Sequence, residues 1–285
     1  MKGIISRGTA VALSVLAATV FSLAQTSVAN PLNAPRGLAL AANGNLYVAN
    51  SGGNNVLVFN PNYALVSSRT ITAGISKPTA VVFDSAGNLF VANIGTESIT
   101  EYSSAGVQNT AATITAAINT PEALAIDPMN NLYVNNGFGY VSVYASNLYP
   151  GGGVPPYAQM FTPNVQIYGI ATHGQFFAWG GVSLATVEYT DEVLGSGLEA
   201  AWVGTDAEGL ALAFDATGNL YVANADATVS FINFANGSQA PFTVLPFVAE
   251  GIAVDSKRSR VYFSSQSGNA IAVYSTAGAL LKTIQ

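Results

Sequence analysis

The sequence predicts an all-β protein, a β-propeller of six blades with four antiparallel strands in each blade. Three observations lead to this fold: six similar segments recur along the chain, hydrophobic and polar residues alternate within them, and turn residues separate the alternating runs. The segments are anchored at positions 37, 80, 123, 169, 211 and 251. We therefore expect one domain, residues 30–285, that contains all six.

Each segment offers four runs of strand type. In the first segment these are Leu38–Leu40, Asn45–Ala49, Val56–Phe59 and Arg69–Thr72. A D-x-x-G-N turn joins the first two runs in several copies, and its Gly adopts a positive φ without steric cost. One such sheet cannot bury both of its faces, so we expect the six to pack side by side. Neither end carries a polar capping repeat, which favours a closed ring over an open array.

The repeated motif resembles a known family. Residues 35–50, 78–93 and 121–136 follow, with substitutions, the pattern P-x-G-[LIV]-A-[LIV]-D-x-x-G-N-[LI]-[YF]-V-A-[ND], which is similar to the NHL repeat of six-bladed propellers. A more distant resemblance is to gluconolactonase-like propellers, which hold a divalent metal at one channel mouth with acidic and Asn ligands. The resemblance implies the fold but no single activity, because propellers of this kind include scaffolds, lactonases and lyases.

The first 29 residues read as a secretory signal peptide. Lys2 and Arg7 precede an apolar run from Thr9 to Ala24, and Ser27-Val28-Ala29 fits the small-x-small cleavage pattern. The apolar run has 16 residues, fewer than the roughly 20 that cross a bilayer. We therefore expect cleavage after Ala29 and a secreted or periplasmic protein without a membrane span.

Composition excludes several kinds of site. The chain has no Cys and one His, which excludes disulfides, thiolate chemistry and any site that needs two histidines. The net charge is −6 without a basic stripe, so we expect no nucleic-acid partner, and we expect a monomer. His173 lies in the turn after an inner strand, which places it away from the acidic mouth described next. We therefore predict no catalytic residue.

Two rings of equivalent positions should surround one mouth of the central channel. The residue before each inner strand forms the first ring: Arg36, Thr79, Glu122, Tyr168, Glu208 and Glu250. The residue that ends each second strand forms the other ring, which contains Asn50, Asn93, Asn136 and Asn224. We take Arg36, Glu122, Tyr168, Glu208, Glu250 and these four Asn as candidate ligand-binding residues. The Asn side chains could instead bond backbone groups of the adjoining turns.

Two functions remain open at this mouth. Glu122, Glu208 and Glu250 could together hold Ca²⁺ through oxygen, which the resemblance supports and which would suit a metal-dependent lactonase or lyase. Otherwise the glutamates are solvated or paired with Arg36, and the protein is a binding or interaction scaffold, the interpretation that we favour. Its partner would be a protein, a glycan or a small molecule. A predicted surface loop, residues 147–165 with Tyr149, Tyr157, Met160 and Phe161, would add to the binding surface.

Overall fold

In a computed structural model of the protein, the described residues form 23 strands in six antiparallel sheets. The structure describes residues 30–137, 139–146, 156, 158–161, 166–174, 176–181, 184–190, 201–204, 208–233, 236 and 238–285. The predicted signal peptide, residues 1–29, lies outside these ranges. No helix in the described part of the chain is long and apolar enough to cross a membrane.

The first three sheets occupy the N-terminal half of the fold. The first sheet contains β1 (Pro35–Leu40), β2 (Leu46–Asn50) and β3 (Asn55–Phe59). The second contains β4 (Pro78–Phe83), β5 (Leu89–Asn93), β6 (Ser98–Tyr102) and β7 (Gln108–Ile114). The third contains β8 (Ala123–Ile126), β9 (Leu132–Asn135), β10 (Tyr140–Tyr144) and β11 (Ala158–Phe161). Two single-turn 3-10 helices, Ser51–Gly53 and Ser67–Arg69, belong to the first segment.

The last three sheets each have four strands. The fourth contains β12 (Ile167–His173), β13 (Phe176–Gly181), β14 (Leu184–Thr190) and β15 (Ala201–Gly204). The fifth contains β16 (Gly209–Phe214), β17 (Leu220–Asn224), β18 (Thr228–Asn233) and β19 (Ser238–Val244). The sixth contains β20 (Gly251–Asp255), β21 (Arg260–Ser265), β22 (Ala270–Ser275) and β23 (Leu280–Ile284). Every sheet follows chain order as an antiparallel meander.

The predicted turn chemistry accounts for the first hairpin of the second, third and fifth sheets. In the second sheet Asp84 Oδ1 accepts a hydrogen bond from the Asn88 backbone N–H at 2.7 Å, and Gly87 has φ +83°. In the third sheet Asn130 replaces the glycine and has φ +62°. Asn is the side chain that best tolerates this left-handed conformation, so the hairpin keeps its shape in both copies.

The hydrophobic core is divided into six clusters, and each lies between two neighbouring sheets in the described part of the chain. Leu38 of the first sheet and Ile271 of the sixth belong to one cluster, so the first and last sheets are neighbours as well. Each second strand carries a buried aromatic side chain at an equivalent position: Tyr47, Phe90, Tyr133, Phe177, Tyr221 and Tyr262. The inner strands contact one another in the cyclic order β1, β4, β8, β12, β16, β20, β1. The all-β propeller prediction is therefore confirmed.

The prediction of four strands in every blade is wrong for the first sheet. Five sheets have four strands, and the first has three. Where Arg69–Thr72 was expected as a fourth strand, the chain forms a 3-10 turn and contributes only isolated bridges, Ile71 to Val56 and Leu65 to Phe59. The 3-10 turn lies between the two bridges and prevents a continuous fourth strand. The two bridging segments still cover the edge of β3.

The predicted loop at residues 147–165 also needs correction. It contains β11, whose residues Ala158–Phe161 pair with Val143–Tyr140 and complete the third sheet. Met160 and Phe161 therefore lie in a strand. Tyr149 and Tyr157 lie outside the described residues.

The ring closes without exchanging a strand between its first and last sheets. The N-terminal residues lie against the sixth sheet: the Asn30 side-chain amide donates to the Asn269 carbonyl at 2.8 Å, and Asn269 Oδ1 accepts from the Ala34 N–H at 2.7 Å. Leu32 is 3% exposed and shares a core cluster with Ile284. The Ser264 hydroxyl donates to the Arg36 carbonyl across the same boundary. Side chains thus join the two ends of the chain.

Candidate ligand-binding site at the channel mouth

A channel of about 700 Å³ follows the axis between the six inner strands. Each inner strand is the edge strand of its sheet, so the backbone groups along its unpaired side face the axis. Apolar side chains line much of the channel, and the end farther from the predicted rings is surrounded by Leu40, Phe83, Ile126, Phe214 and Val254. The channel therefore offers an apolar wall crossed by backbone donors and acceptors.

The first predicted ring lies at the other end of this channel. Arg36, Thr79, Glu122, Tyr168, Glu208 and Glu250 all line it. A small residue follows each of them because the inner strands approach closely here. A Cβ on Gly37 would lie 2.6 Å from the Ala80 Cα, and one on Gly251 would collide with the Arg36 carbonyl. The sequence therefore placed all six side chains at the correct end.

An ion pair spans part of the mouth. Arg36 Nη2 of the first sheet donates to Glu122 Oε2 of the third sheet at 2.7 Å. The ion pair therefore extends across the second sheet, which lies between the other two. The two side chains are 21% and 17% exposed. Pairing with Arg36 was the expected alternative to metal binding for these glutamates, and Glu122 adopts it.

The other two glutamates have different surroundings. Glu250 Oε2 accepts a hydrogen bond from the Gln266 N–H at 2.8 Å. Burial raises the pKa of Glu250, while that hydrogen bond and the charge of Arg36 act in the opposite direction. Glu208 lines the channel, and its carboxylate has no hydrogen bond to the described residues.

The three glutamates are not grouped as the calcium alternative would require. Among the described residues, which include Glu122, Glu208 and Glu250, no group of three or more His, Cys, Asp or Glu side chains is arranged to hold a metal ion. Glu122 is turned toward Arg36 and Glu250 toward a backbone N–H. Position on a ring does not fix side-chain direction: Glu122 and Glu250 have separate partners, and the Glu208 carboxylate has none among the described residues.

The two remaining residues of the first ring differ in whether they can contact a ligand. The Thr79 hydroxyl donates to the Pro121 carbonyl at 2.6 Å, which joins the second and third sheets. Thr79 is 2% exposed, so it is part of the wall. Tyr168 is half-buried and stands in ring order between Glu122 and Glu208. An aromatic ring therefore flanks the acidic part of the mouth.

The Asn ring lies outside the channel. Asn50, Asn93, Asn136 and Asn224 are buried, at 1%, 0%, 0% and 1% exposed, and none of them lines the cavity. The first three accept a hydrogen bond from the backbone N–H of the residue 17 positions earlier, which is Asn33, Ser76 and Asn119 respectively. The Asn224 amide donates to the hydroxyls of Thr228 and Ser230. Asn50, Asn93 and Asn136 therefore hold the segments that enter the inner strands, whereas Asn224 bonds to β18 of its own sheet.

Two side-chain hydrogen bonds between sheets were not predicted from the sequence. The Asn135 amide donates to the Ile167 carbonyl at 2.7 Å, and the Thr172 hydroxyl donates to the Ile126 carbonyl at 2.6 Å. Both join the third and fourth sheets. Asn135 was overlooked because it adjoins Asn136 in the only copy with two consecutive Asn at this position, which was the available signal.

His173 lies at the end of β12 away from Tyr168. Its ring is 5.6 Å from that of Phe214, centroid to centroid. Five residues of strand, about 3.3 Å each, separate it from the mouth. His173 is therefore remote from the glutamates, as the turn position predicted.

Residues 32–59 match the NHL repeat family. No curated protein sequence matches the chain. Solved structures with a similar fold include a streptogramin B lyase, with a TM-score of 0.66, 11% identity, and coverage of 90% of this chain and 85% of that one. The virginiamycin B lyase from Staphylococcus aureus is also similar, with a TM-score of 0.63, 10% identity, and coverage of 87% and 83%.

A third structure is a catalytically inactive histidine-to-alanine variant of the same Staphylococcus aureus lyase with quinupristin. Its TM-score is 0.58 and its identity 13%, with coverage of 81% of this chain and 77% of that one. At these identities the likeness concerns the fold. Together with the repeat match at residues 32–59, it agrees with the family that the repeated motif resembles. The chain folds as a β-propeller, and its residues 32–59 match the NHL repeat.

Proposed function

We propose that the protein is an exported, monomeric binding module whose channel mouth holds a small amphipathic molecule with a cationic end. One observation carries the proposal: a channel of about 700 Å³ joins an apolar wall to a ring of polar side chains at one end. Cavities of roughly 300–1,000 Å³ with a few converging polar groups are typical of ligand sites. We count the three-stranded first sheet as the sixth blade around this channel.

The sign of the ligand's charge follows from the ring. It contains three carboxylates and one guanidinium, and that guanidinium already pairs with Glu122. Glu208 and Glu250 therefore leave the mouth with an excess of negative charge. Tyr168 stands beside them, and an aromatic face attracts cations. An ammonium group at the mouth would gain from both interactions while its apolar part entered the channel.

Two dansyl probes test this proposal because they share a fluorophore and differ in charge. Dansylcadaverine carries an ammonium group and dansylglycine a carboxylate. We expect the fluorescence of dansylcadaverine to rise and shift to the blue on binding, and that of dansylglycine to change much less. Binding of the two probes with equal affinity would contradict the charge assignment.

Variants locate the site. Glu208→Gln should weaken dansylcadaverine binding several-fold, since it removes a mouth charge that has no partner among the described residues. Glu97→Gln is the matched control, because Glu97 lies in an exposed turn outside the channel and its substitution changes the net charge equally. If both variants weakened binding to the same extent, the effect would come from net charge and the channel assignment would fail.

A lyase is the second candidate, supported by the fold likeness to streptogramin B and virginiamycin B lyases. Against it stands the position of His173, the one histidine of the sequence, which lies far from the acidic mouth. Incubation of the protein with quinupristin and Ca²⁺, followed by mass spectrometry, tests this candidate. Conversion of quinupristin that is lost in Glu208→Gln would replace the binding proposal with an enzymatic one.

A further inference from the structure

A second cavity, a groove of about 420 Å³, lies between the fifth and sixth sheets on the face opposite the channel mouth. Tyr221, Phe231 and Phe242 line it from the fifth sheet, and the turns after β20 and β22 line it from the sixth. Three contacts fix the two sheets around it. The Ser256 hydroxyl accepts from the Ala216 N–H at 3.0 Å, the Thr243 hydroxyl reaches the Gly278 carbonyl at 3.5 Å, and Phe242 lies against Phe263.

The hydroxyl of Tyr221 is the central polar group of this interblade groove. Tyr221 is only 2% exposed, and within the described chain its hydroxyl has no hydrogen-bond partner. The equivalent Tyr133 hydroxyl, by contrast, donates to Asp127 Oδ2 at 3.3 Å. This hydroxyl keeps some accessible surface, because the one buried and unpartnered side-chain atom of the described residues is Asn224 Oδ1. The Tyr221 hydroxyl is therefore poised for an acceptor that enters the groove.

The protonation state of this hydroxyl is clear. Burial raises the pKa of Tyr221 to about 12, and the negative charge of Asp215 adds to the effect. The phenol therefore remains a neutral donor at physiological pH. Burial opposes ionisation of Asp215 as well, but hydrogen bonds from Asn219 and Thr217 outweigh it and lower the pKa of Asp215. The resulting carboxylate disfavours an anionic ligand.

Aromatic rings form the apolar side of the groove. Phe231 and Phe242 meet the Tyr221 ring edge to face, with centroids 5.0 and 5.1 Å away. Tyr221 is buried, whereas both Phe rings are half-buried and keep part of their surface toward the cavity. Pro241 is exposed beside them. A ligand in the groove would therefore contact apolar surface on this side.

Exposed hydroxyls form the opposite, polar side. They belong to Thr217, Ser256, Ser259 and Thr276. The Thr217 hydroxyl is committed to Asp215 Oδ1, but the Ser256 hydroxyl accepts from Ala216 and can still donate. A hydroxyl both donates and accepts hydrogen bonds, so it matches a partner that does the same.

We propose that the interblade groove binds a neutral, polyhydroxylated ring, that is, one sugar unit of a glycan. A pyranose offers apolar C–H surface to aromatic rings and hydroxyls that both donate and accept at its edge. One ring oxygen or hydroxyl would accept from Tyr221. The carboxylate of Asp215 excludes acidic sugars, and the volume lies within the usual range for ligand sites. The proposal is independent of the channel site.

The test uses methyl glycosides of glucose, galactose and mannose at millimolar concentrations, with saturation-transfer NMR to detect binding and a titration to measure affinity. We expect at least one of them to bind. Tyr221→Phe should weaken that affinity by about tenfold, as expected for the loss of one buried hydrogen bond. The variant should fold, since Phe90 and Phe177 occupy the equivalent positions of the second and fourth sheets.

Further variants separate this site from others. Ala240→Arg, at an exposed position of the groove, should abolish binding by filling it. Tyr47→Phe changes the equivalent ring of the first sheet, and Arg36→Gln changes the channel mouth, so both should bind as the unaltered protein does. No saturation transfer from any of the three glycosides, or equal affinity in Tyr221→Phe, would overturn the proposal. Capture of hexaproline in place of the glycosides would assign the groove to peptides and overturn it as well.

Discussion

The buried Asn side chains make a quantitative prediction, and Asn93→Ala tests it most directly. Asn93 is fully buried. Its Oδ1 accepts from the Ser76 N–H at 2.9 Å, and its amide donates to the Thr100 hydroxyl at 3.0 Å and to the Val91 carbonyl at 3.2 Å. Each such bond contributes about 1 kcal/mol net. We therefore expect Asn93→Ala to lower the free energy of unfolding by about 3 kcal/mol.

Urea denaturation at 25 °C, followed by tyrosine fluorescence, measures this loss. With an m-value of about 3 kcal/mol/M for a domain of this size, the midpoint should fall by about 1 M. Asn109→Ala is the matched control: Asn109 is exposed and donates only to Glu101 at 3.2 Å, so its loss should be about 0.5 kcal/mol or less. A loss below 1 kcal/mol for Asn93→Ala, or one equal to that of the control, would refute the reasoning.

Three further predictions concern closure and charge. Gly251→Ala should destabilise the fold by about 1–3 kcal/mol in urea, because its Cβ would collide with the Arg36 carbonyl; an unchanged midpoint would contradict this close approach. Leu32→Ala should lower the free energy of unfolding by about 2–5 kcal/mol, whereas Leu281→Ala, at an exposed position, should change it very little. Equal losses in the two variants would mean that the N-terminal segment does not close the ring. Because burial raises the pKa of Glu250 in the folded state, Glu250→Gln should be more stable than the unaltered protein at pH 7. That difference should vanish as the pH falls below about 4.3, where the unfolded carboxyl is protonated too, and a difference independent of pH would exclude this cause.

Much of the fold could be predicted because its determinants are local. Alternation of apolar residues fixes the two faces of each strand, and D-x-x-G-N fixes the turn that follows. The predicted Val56–Phe59 and the observed Asn55–Phe59 differ by one residue. The N-terminal extension of β1 to Pro35 was missed because Arg36 and Gly37 interrupt the apolar run.

The site was only half predictable, because its geometry depends on contacts between sheets. Position along an inner strand placed Arg36 and the three glutamates at one mouth. Whether the carboxylates converge depends on where the hydrogen-bond partner of each one lies. The partner of Glu122 is Arg36, which lies two sheets away. The groove beside Tyr221 could not be predicted from the sequence for the same reason. Its walls come from residues of two sheets, and neither set of residues on its own indicates a binding site.

The two candidate sites share a property that follows from repetition. Positions that pack one sheet on the next must satisfy the same demand six times, so they carry similar residues, such as the aromatic ring of the second strands. A ligand breaks this symmetry, so its site must be built where equivalent positions differ. The first ring contains Arg, Thr, Tyr and three Glu. Tyr221 differs from Tyr133 in lacking a partner for its hydroxyl. A residue that differs from its equivalents does not by itself make a ligand site. Thr79 differs, but its hydroxyl already donates to a carbonyl of the neighbouring sheet. A position becomes a candidate when its residue or its hydrogen bonding differs from that of equivalent positions, it faces a cavity and it keeps a polar group available. Glu208 and Tyr221 meet all three conditions through their hydrogen bonding.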